Sequence, residues 1–289
     1  MISKLPVSVY LEVYNEESRI DACLACFSWA EQIIVFDKGS TDNTVLIARK
    51  YTNEIYITDY NIGSNNVENF FDLIRCEWTL SITASSLIHP MLVEKISLAI
   101  KSKDAEVIGL PYGMYAFGIN NKHSPWYTDF KFSLIKKSVL KLSSELHREI
   151  QFSTNRVIKL RIDKSDELFF HLTHQSMDSF FDRTLRYAKY EAHWRFLNEK
   201  NLSRNKALWG SVKRIIKSIL ITLIKKRTWT LGWNGAMLAF AYVLNFVCCF
   251  LYLWESYSKN QSEIVYQQLR ENVLKMWSQS YISKDKNGV

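Results

Sequence analysis

The sequence predicts a mixed α/β protein whose first half is built on a parallel β-sheet. Short apolar runs alternate with segments of helical periodicity, and the first two runs, Val7–Val13 and Gln32–Phe36, each end in a polar turn. In parallel sheets, ligands bind at the carboxyl ends of the strands, where these turns lie. This edge of the sheet is therefore where we expect a nucleotide to bind.

Each element of the first half follows from apolar spacing and from turn signals. Helices are predicted where apolar residues recur every three or four positions, and strands where short apolar runs end in turns. Pro90 suits the first turn of a helix. In chain order, the predicted elements are strand Val7–Val13, helix Ser18–Trp29, strand Gln32–Phe36, helix Asp42–Tyr51, strand Glu54–Tyr60, helix Val67–Arg75, strand Trp78–Ile82, helix His89–Lys101, and strands Ala105–Phe117 and Asp129–Ile135.

The remainder of the chain is predicted to be helical, so we place a domain at 1–175 and a helical region at 176–289. Within 206–227, one helical face is aromatic and aliphatic, and much of the rest is basic. That pattern is typical of a helix that lies on a membrane surface, and the alternative is a helix packed on the domain with a solvated basic edge. The apolar segment 236–254 is barely long enough to span a bilayer, and we favour a buried or interfacial helix.

The composition narrows the class of protein and of partner. The chain has 289 residues, 47% of them hydrophobic, a net charge of +8 and five cysteines. The charge indicates an anionic partner, but it is concentrated on one amphipathic segment and no nucleic-acid motif is present, so no nucleic acid is expected. Cys23 and Cys26 lie within a predicted helix without a thioredoxin-like context, which favours reduced cytosolic thiols. No signal peptide is expected, because no apolar segment precedes the first strand.

Two motifs carry a resemblance to a known family. The segments VSVYLEVYNEE and IIVFDKGSTDNTVLIARKY closely resemble the nucleotide-binding half of family 2 glycosyltransferases, the inverting enzymes of GT-A fold. EWTLSITASSLIHP at Glu77–Pro90 resembles a further family segment, DW-x-L-x-x-D-A-D-E. Softer matches follow at Arg186–Ala192 and Thr230–Phe240. Within the family, the chain is most similar to the lipopolysaccharide-core β-glucosyltransferases.

The resemblance implies a GT-A domain and an inverting transfer of a sugar from a nucleotide-sugar donor. A UDP-sugar is the expected donor, and a membrane-associated glycan or lipid-linked molecule is the expected acceptor. The implied setting is bacterial surface polysaccharide or lipopolysaccharide biosynthesis. The implied location is cytoplasmic, at the inner face of the cell membrane. The alternative is a non-catalytic GT-A protein that scaffolds or regulates an active transferase.

The resemblance also assigns roles to individual positions. Asp37 is expected to contact the base or ribose of the nucleotide, and Asp42 to cap the following helix. His147 and Glu149 are the candidates for acid and base chemistry on the acceptor hydroxyl. His171 and His174 suggest either a metal ligand pair or, as we favour, structural histidines. The expected nucleotide-sugar-binding residues are Glu12, Asn15, Asp37, Asn69, Thr83 and Ser85.

The chain departs from the family pattern where a metal ion is normally held. Relatives place a D-x-D motif at the end of the fourth strand, and its carboxylates hold Mg²⁺ or Mn²⁺ against the diphosphate. Here those positions read Thr83-Ala84-Ser85, and hydroxyls are poor substitutes for carboxylates. Arg148 either separates the usual His-Glu pair or replaces its Glu. Glu68 replaces a basic residue, and Glu12 adds a charge that repels phosphates.

Three interpretations of these departures compete. The first is a metal-independent transferase in which basic groups stabilise the diphosphate, with Lys38, Arg75 and Arg148 as candidates by position. The second is the non-catalytic scaffold, and the third is a misaligned segment with its metal ligands elsewhere. The third is weak, because Trp78 and Pro90 fix the segment on both sides. No cofactor is therefore assigned, and Mg²⁺ or Mn²⁺ stays open as an alternative, although its usual ligands are missing.

Overall fold

The computed structural model describes residues 4–58, 70–102, 104–141, 151–199 and 203–286. The chain divides into two compact units. The first comprises 1–180 together with 226–238, and the second comprises 181–225 together with 239–289.

The first unit contains the sheet and the short helices that cover it. Its strands and helices, in chain order, are β1 (Leu5–Val13), α1 (Ile20–Cys26), β2 (Ala30–Asp37), α2 (Thr44–Ala48), β3 (Ile55–Ile57), α3 (Phe70–Leu73), β4 (Trp78–Thr83), β5 (Ser86–Ile88), α4 (Pro90–Ser102), β6 (Val107–Ala116), β7 (Phe130–Lys136), β8 (Leu140–Lys141), β9 (Gln151–Phe152), β10 (Val157–Lys159) and β11 (Phe169–Thr173).

Nine of the described strands form one mixed sheet in the order β3-β2-β1-β4-β7-β6-β11-β5, with β10 paired to β6. The strands β3, β2, β1 and β4 are mutually parallel. β7 is antiparallel to both β4 and β6, so β6 runs in the direction of β4. β8 and β9 pair separately. The carboxyl ends of the four parallel strands consequently share one edge.

The hydrophobic core lies on both faces of this sheet. Alternate residues of a strand point to opposite faces, and Val9 and Leu11 belong to one buried cluster while Tyr10 belongs to another. The larger cluster is covered by α1 and α4, which bury Cys23, Leu24 and Ile96 among others. The smaller cluster includes Phe70 of α3. Burial on both faces explains why the strands are mostly apolar and do not alternate strictly between apolar and polar residues.

A buried glutamine ties three strands together at the opposite, amino-terminal edge. The Gln32 side chain, 1% exposed, donates to Glu54 at 2.6 Å and to the Leu73 carbonyl at 2.7 Å. Its oxygen accepts the Arg75 backbone N–H at 2.9 Å and also the Ser8 hydroxyl. These bonds join β1 and β2 to the segment that leads into β4. They therefore help to fix the register on which the other edge depends.

The second unit is helical. α5 (Met177–Asn198) begins in the first unit and continues into the second, which also holds α6 (Arg204–Leu220) and a π-helical turn (Ile221–Lys225). A 3-10 turn (Thr228–Leu231) precedes α7 (Gly232–Lys286). Arg195 is buried here and donates to Ser211 at 2.7 Å and to Glu199 at 2.9 Å. These bonds join α5 to α6.

The structure confirms the predicted α/β fold with a helical C-terminal region and corrects several boundaries. The first helix is shorter than Ser18–Trp29, because Trp29 already accepts the Leu5 N–H at the start of the sheet. The second spans Thr44–Ala48 only. A short strand, β5, and the strand β11 were not predicted; each is stabilised by pairing with distant residues.

The apolar helix also extends beyond the predicted 236–254. One helix runs from Gly232 to Lys286, since the sequence has neither proline nor glycine between Gly235 and Gly288 to end it. Gly235 itself allows a close approach, because a Cβ there would lie 1.8 Å from the Thr228 carbonyl oxygen. Over Thr228–Lys259 the helix is long and apolar enough, by length and composition alone, to cross a membrane.

We predict that Gln32→Leu lowers the free energy of unfolding by roughly 2–4 kcal/mol, since it leaves the Leu73 carbonyl and the Arg75 N–H buried without partners. Urea denaturation of the whole chain measures this. The matched control is Glu31→Ala at the exposed neighbouring position, expected to change stability by less than about 0.5 kcal/mol. Equal effects of the two substitutions would contradict the structural role of Gln32.

Candidate functional site

Strand register brings most of the predicted site residues together. Val13 of β1 lies opposite Asp37 of β2, and Glu12 lies opposite Thr83 of β4. Because these pairs are at the carboxyl ends of parallel strands, Glu12, Asp37 and Thr83 share one edge of the sheet. Asn15 follows β1 at the same edge. Predictions based on the ends of apolar runs therefore converge on a single region.

The loops after β1 and β2 are joined by hydrogen bonds around Asn15. Asn15 has a positive φ of 53°, a conformation that asparagine tolerates. Its side-chain oxygen accepts the Thr41 N–H at 2.8 Å, and its own N–H donates to the Ser40 hydroxyl at 3.0 Å. Gly39, with a φ of 80°, permits the turn that leads from β2 to Ser40. Asn15 thus shapes the loop at the edge of the sheet where the sequence predicts nucleotide binding, which is called the nucleotide edge below.

Asp37 is buried, and its carboxylate holds the turn that follows β2. It accepts the Ser40 N–H at 3.1 and 3.2 Å and the Ser40 hydroxyl at 2.5 Å. The Lys38 N–H bonds to the Val13 carbonyl at 2.9 Å, which continues the pairing of β1 with β2 past Asp37. Asp37 is consequently fixed in position before any ligand binds.

Asp42 has the capping geometry expected from the sequence. Its carboxylate accepts the Thr44 N–H at 2.9 Å at the start of α2, and the Glu17 N–H at 3.1 Å from the first loop. Partial burial alone would raise the pKa of Asp42, but the hydrogen bonds from Thr44 and Glu17 outweigh it and the pKa is lowered. Asp42 thus secures the loop pair as a fixed negative charge.

Glu12, the unexpected carboxylate, is paired with a cation. The Lys38 ammonium lies 2.5 Å from the Glu12 carboxylate. The pair offsets the negative charge that would repel a diphosphate. It also means that the Lys38 charge, which we considered for diphosphate binding, is shared with Glu12.

A cluster of hydroxyls and one histidine lies at the segment that the resemblance aligns with the family's metal-binding carboxylates. The Thr83 hydroxyl lies 3.0 Å from the Ser85 hydroxyl and 3.1 Å from both the Ser86 hydroxyl and His171 Nδ1. His171 reaches the cluster because β11 pairs with β5 opposite Ser86. Burial, with a smaller contribution from the nearby Lys131 charge, lowers the pKa of His171 to about 3. The imidazole is therefore neutral at physiological pH.

This cluster does not suit a divalent cation. Hard cations such as Mg²⁺ and Mn²⁺ prefer carboxylate oxygens, whereas Thr83 and Ser85 offer neutral hydroxyls that are bonded to one another. Within the described ranges, no group of three or more histidine, cysteine, aspartate or glutamate side chains is arranged to hold a metal ion. We therefore assign no step to a metal.

Lys131, which the sequence reasoning missed, lies beside this cluster. Its ammonium is 5.5 Å from the ring centroids of both Tyr112 and Phe169, and the Tyr112 ring is 6.2 Å from that of His171. Burial lowers the pKa of Lys131 to about 8. The sequence signal that could have indicated Lys131 was a lysine within a predicted strand, at a position that faces apolar neighbours.

Other predicted site residues are not brought together with this edge. Arg75 precedes β4 at the amino-terminal edge and pairs with Glu54 at 2.7 Å, so its candidacy for diphosphate binding is wrong. Asn69, His147, Arg148 and Glu149 lie outside the described residues, and their roles stay predictions.

The two histidines of β11 and its following turn predict acid sensitivity. The pKa of His171 is lowered to about 3 and that of His174 to about 4, both chiefly by burial. The unfolded chain takes up protons below about pH 6.5 that the folded chain resists, so stability falls as the pH falls. From pH 7 to 5 the loss from His171 alone is about 2 kcal/mol. Urea titrations at both pH values measure it, and His171→Asn should reduce the pH dependence; an unchanged dependence would contradict the assignment.

Comparison with known proteins identifies the family. A family model described as glycosyl transferase family 2 matches residues 8–166, which is more than half of the chain. The matched range includes most of β1, all of β2 and β4, and the loops that follow them, but ends before β11 and His171.

Individual relatives are more distant. A lipopolysaccharide core biosynthesis glycosyltransferase, LpsC of Rhizobium meliloti, is 35% identical over 51 residues, which are 18% of this chain and 19% of the relative. The chain thus matches about a fifth of the length of that protein. S. aureus TarS 1–349 has a TM-score of 0.41 at 14% identity, covering 88% of this chain and 92% of that one.

A further solved structure is the glucosyl-3-phosphoglycerate synthase of Mycobacterium tuberculosis, in complex with Mn²⁺, uridine diphosphate and glucosyl-3-phosphoglycerate. It has a TM-score of 0.31 at 18% identity, covering 38% of this chain and 44% of that one. The match of the family model, which extends from β1 through the nucleotide edge to residue 166, shows that the chain belongs to glycosyl transferase family 2.

Proposed function

We propose that the protein is an inverting glycosyltransferase that transfers a sugar from a nucleotide-sugar donor, a UDP-sugar, to a membrane-associated glycan or lipid-linked acceptor. The observation that carries this proposal is the convergence of Glu12, Asp37 and Thr83 at one sheet edge of a family 2 chain. The similarity to a lipopolysaccharide core transferase supports a role in surface polysaccharide or lipopolysaccharide biosynthesis.

In the proposed reaction, the acceptor hydroxyl attacks the anomeric carbon of the donor from the face opposite the diphosphate. The bond from that carbon to the diphosphate oxygen breaks, and its electron pair leaves with the nucleoside diphosphate. Glu149, or His147, takes the proton of the acceptor hydroxyl. The edge residues bind and orient the donor, and preorganised binding of this kind lowers the barrier without a change in the chemistry.

We further propose that the transfer is metal-independent. The support is the hydroxyl cluster of Thr83, Ser85 and Ser86, which replaces the carboxylates a metal would need. Hydroxyls donate hydrogen bonds to phosphate oxygens, whereas carboxylates without a metal would repel them. Loss of the carboxylates therefore suits direct contact between the protein and the diphosphate.

The first test is calorimetric titration of the purified chain with UDP and UDP-glucose, then other nucleotides, each with EDTA, Mg²⁺ or Mn²⁺. We expect binding in EDTA, and Asp37→Ala should weaken it about tenfold or more. Asp42→Ala is the matched control, because it also removes loop hydrogen bonds but is not expected to contact ligand.

Each alternative outcome of that titration has a distinct meaning. Binding only in the presence of metal would show that metal ligands exist and would overturn metal independence. Equal losses in the two aspartate variants would mean that Asp37 acts through the loop alone. Absence of binding to any nucleotide would favour the second candidate function, a non-catalytic scaffold or regulatory partner, which the altered Thr83–Ser85 segment also suits.

Association with a membrane surface is supported by the second unit taken by itself. The fully buried residues of α6 are small, Ala207, Ser211 and Ser218, whereas several of its large apolar residues are exposed. Trp209 is 62% exposed and Ile216 is 50% exposed. Lys206, Lys213 and Lys217 are exposed on the same helix. A helix packed through its apolar face would show the opposite burial pattern, so a lipid surface is the environment that this face fits.

The membrane proposal predicts that α6 determines binding to anionic vesicles. The variant Trp209→Ser/Ile216→Ser/Leu220→Ser should bind phosphatidylcholine–phosphatidylglycerol vesicles about tenfold or more weakly than the wild type. Co-sedimentation measures this, and added salt should weaken wild-type binding through the lysines. The control Leu46→Ser/Ile57→Ser/Leu98→Ser removes equally exposed apolar residues from the first unit. Unchanged binding of the α6 variant would reject the proposal.

A further inference from the structure

We propose that the ammonium group of Lys131 binds the donor diphosphate and takes the electrostatic role that a divalent metal plays in relatives. This inference rests on the proposed nucleotide-sugar function and names the residue that neutralises the leaving group. It goes beyond the cations that the sequence suggested, Lys38, Arg75 and Arg148.

The topology places Lys131 at the same edge as Thr83. β7 runs antiparallel to β4, and the last pair between them joins Leu80 to Leu134. Thr83 lies three residues beyond Leu80, and Lys131 lies three residues before Leu134. Both residues therefore continue past the paired segment towards the carboxyl end of β4, where the diphosphate of a donor is expected.

Contacts extend from Lys131 to the hydroxyl cluster. The ammonium faces the rings of Tyr112 and Phe169 at 5.5 Å from each centroid. Tyr112 neighbours His171, whose Nδ1 lies 3.1 Å from the Thr83 hydroxyl. The Lys131 charge contributes to the lowered pKa of His171, so its field reaches the cluster. The Lys131 charge and the Thr83 hydroxyl thus both act on the same residue, His171.

Lys131 lacks a counter-ion within the described part of the chain. Its contacts there are with aromatic rings, and no carboxylate lies within ion-pair distance. A partly buried ammonium without a partner is costly, and the lowered pKa expresses that cost. A ligand that brings its own negative charges removes this energetic cost. A diphosphate carries such charges and also accepts hydrogen bonds from Thr83 and Ser85.

The other cations we considered are less suited to this role. Lys38 is already paired with Glu12 at 2.5 Å, and Arg75 is at the opposite edge of the sheet with Glu54. Among the described residues, no carboxylate pairs with Lys131 in this way. In the transfer, the electron pair of the breaking bond moves onto the diphosphate, and a fixed ammonium stabilises that added charge without itself donating a proton.

Calorimetric titrations in EDTA test the role of Lys131. The nucleoside diphosphate that binds the wild type best, chosen from UDP, GDP, ADP and dTDP, is compared with its own nucleoside. Lys131→Met should weaken the diphosphate about tenfold or more and leave nucleoside binding unchanged. The control is Lys159→Met, since Lys159 also lies over two rings, Phe130 and Phe132, but on the other side of β7. That variant should bind like the wild type.

The pH dependence adds a second readout. The ammonium is present below about pH 8 and is lost above it, so affinity for the diphosphate should fall about tenfold from pH 7 to 9 relative to the nucleoside. Two titratable groups face Lys131 on the strands packed beside it: Tyr112, whose pKa burial raises, and His171, whose pKa is lowered to about 3. Both stay neutral over this range. Lys131→Arg should keep the affinity and abolish the pH dependence.

The outcomes separate this inference from the proposed function. If the wild type binds the diphosphate and Lys131→Met binds it equally well, the role of Lys131 is rejected while donor binding stands. If binding appears only with Mg²⁺ or Mn²⁺, a metal neutralises the diphosphate and the inference is overturned. If the wild type binds neither diphosphate nor nucleoside, the donor-binding function fails, and the role of Lys131 fails with it.

Discussion

The parallel register of β1, β2 and β4 is the constraint on which the site depends. It places Val13 beside Asp37 and Glu12 beside Thr83, so that residues far apart in sequence meet at one edge. Gln32 holds these strands at the amino-terminal edge through the hydrogen bonds of its side chain. A slip of one residue would turn every site side chain to the other face. Precise placement of the site is therefore a property of the sheet.

Charge balance is the second constraint at this edge. A diphosphate brings several negative charges, and the edge already carries Glu12 and Asp37. Lys38 neutralises Glu12, so its charge is shared, and the Asp37 carboxylate is held only by the uncharged N–H and hydroxyl groups of Ser40. In relatives, a dication and its carboxylates resolve this conflict. On the alignment that the resemblance implies, hydroxyls stand in place of these carboxylates, which under our proposal lowers the negative charge and leaves the Lys131 ammonium for an anionic ligand.

The sequence was sufficient for the fold class, for the family and for most of the edge. Apolar runs with polar ends mark β1, β2 and β4, and the following turns contain Asn15 and Asp37. β5 and β11 were missed, because such short strands have little intrinsic preference and depend on pairing between distant residues. Lys131 was missed for a related reason. Its neighbours come from β6 and β11, and no local pattern records that proximity.

For α6 in the second unit, the sequence likewise could not predict which side chains are exposed. The sequence of α6 shows an apolar and a basic face, but which face is buried is decided by packing. Ala207 and Ser211 pack inward because small side chains let α5 and α6 approach, and Arg195 then bonds to Ser211. As a result of this packing, large apolar side chains of α6 are exposed to solvent.

The hydroxyl cluster and the Lys131 ammonium are also compatible with each other in charge. A dication bound at Thr83 would be repelled by the Lys131 ammonium, and carboxylates at positions 83 and 85 would pair with it and compete with the donor. Lys131 beside neutral hydroxyls avoids both conflicts. The neutral state of His171 fits as well, since a protonated imidazole next to Thr83 would add a second repulsive charge to Lys131. The hydroxyls of Thr83 and Ser85, the neutral His171 and the Lys131 ammonium are thus mutually consistent in charge.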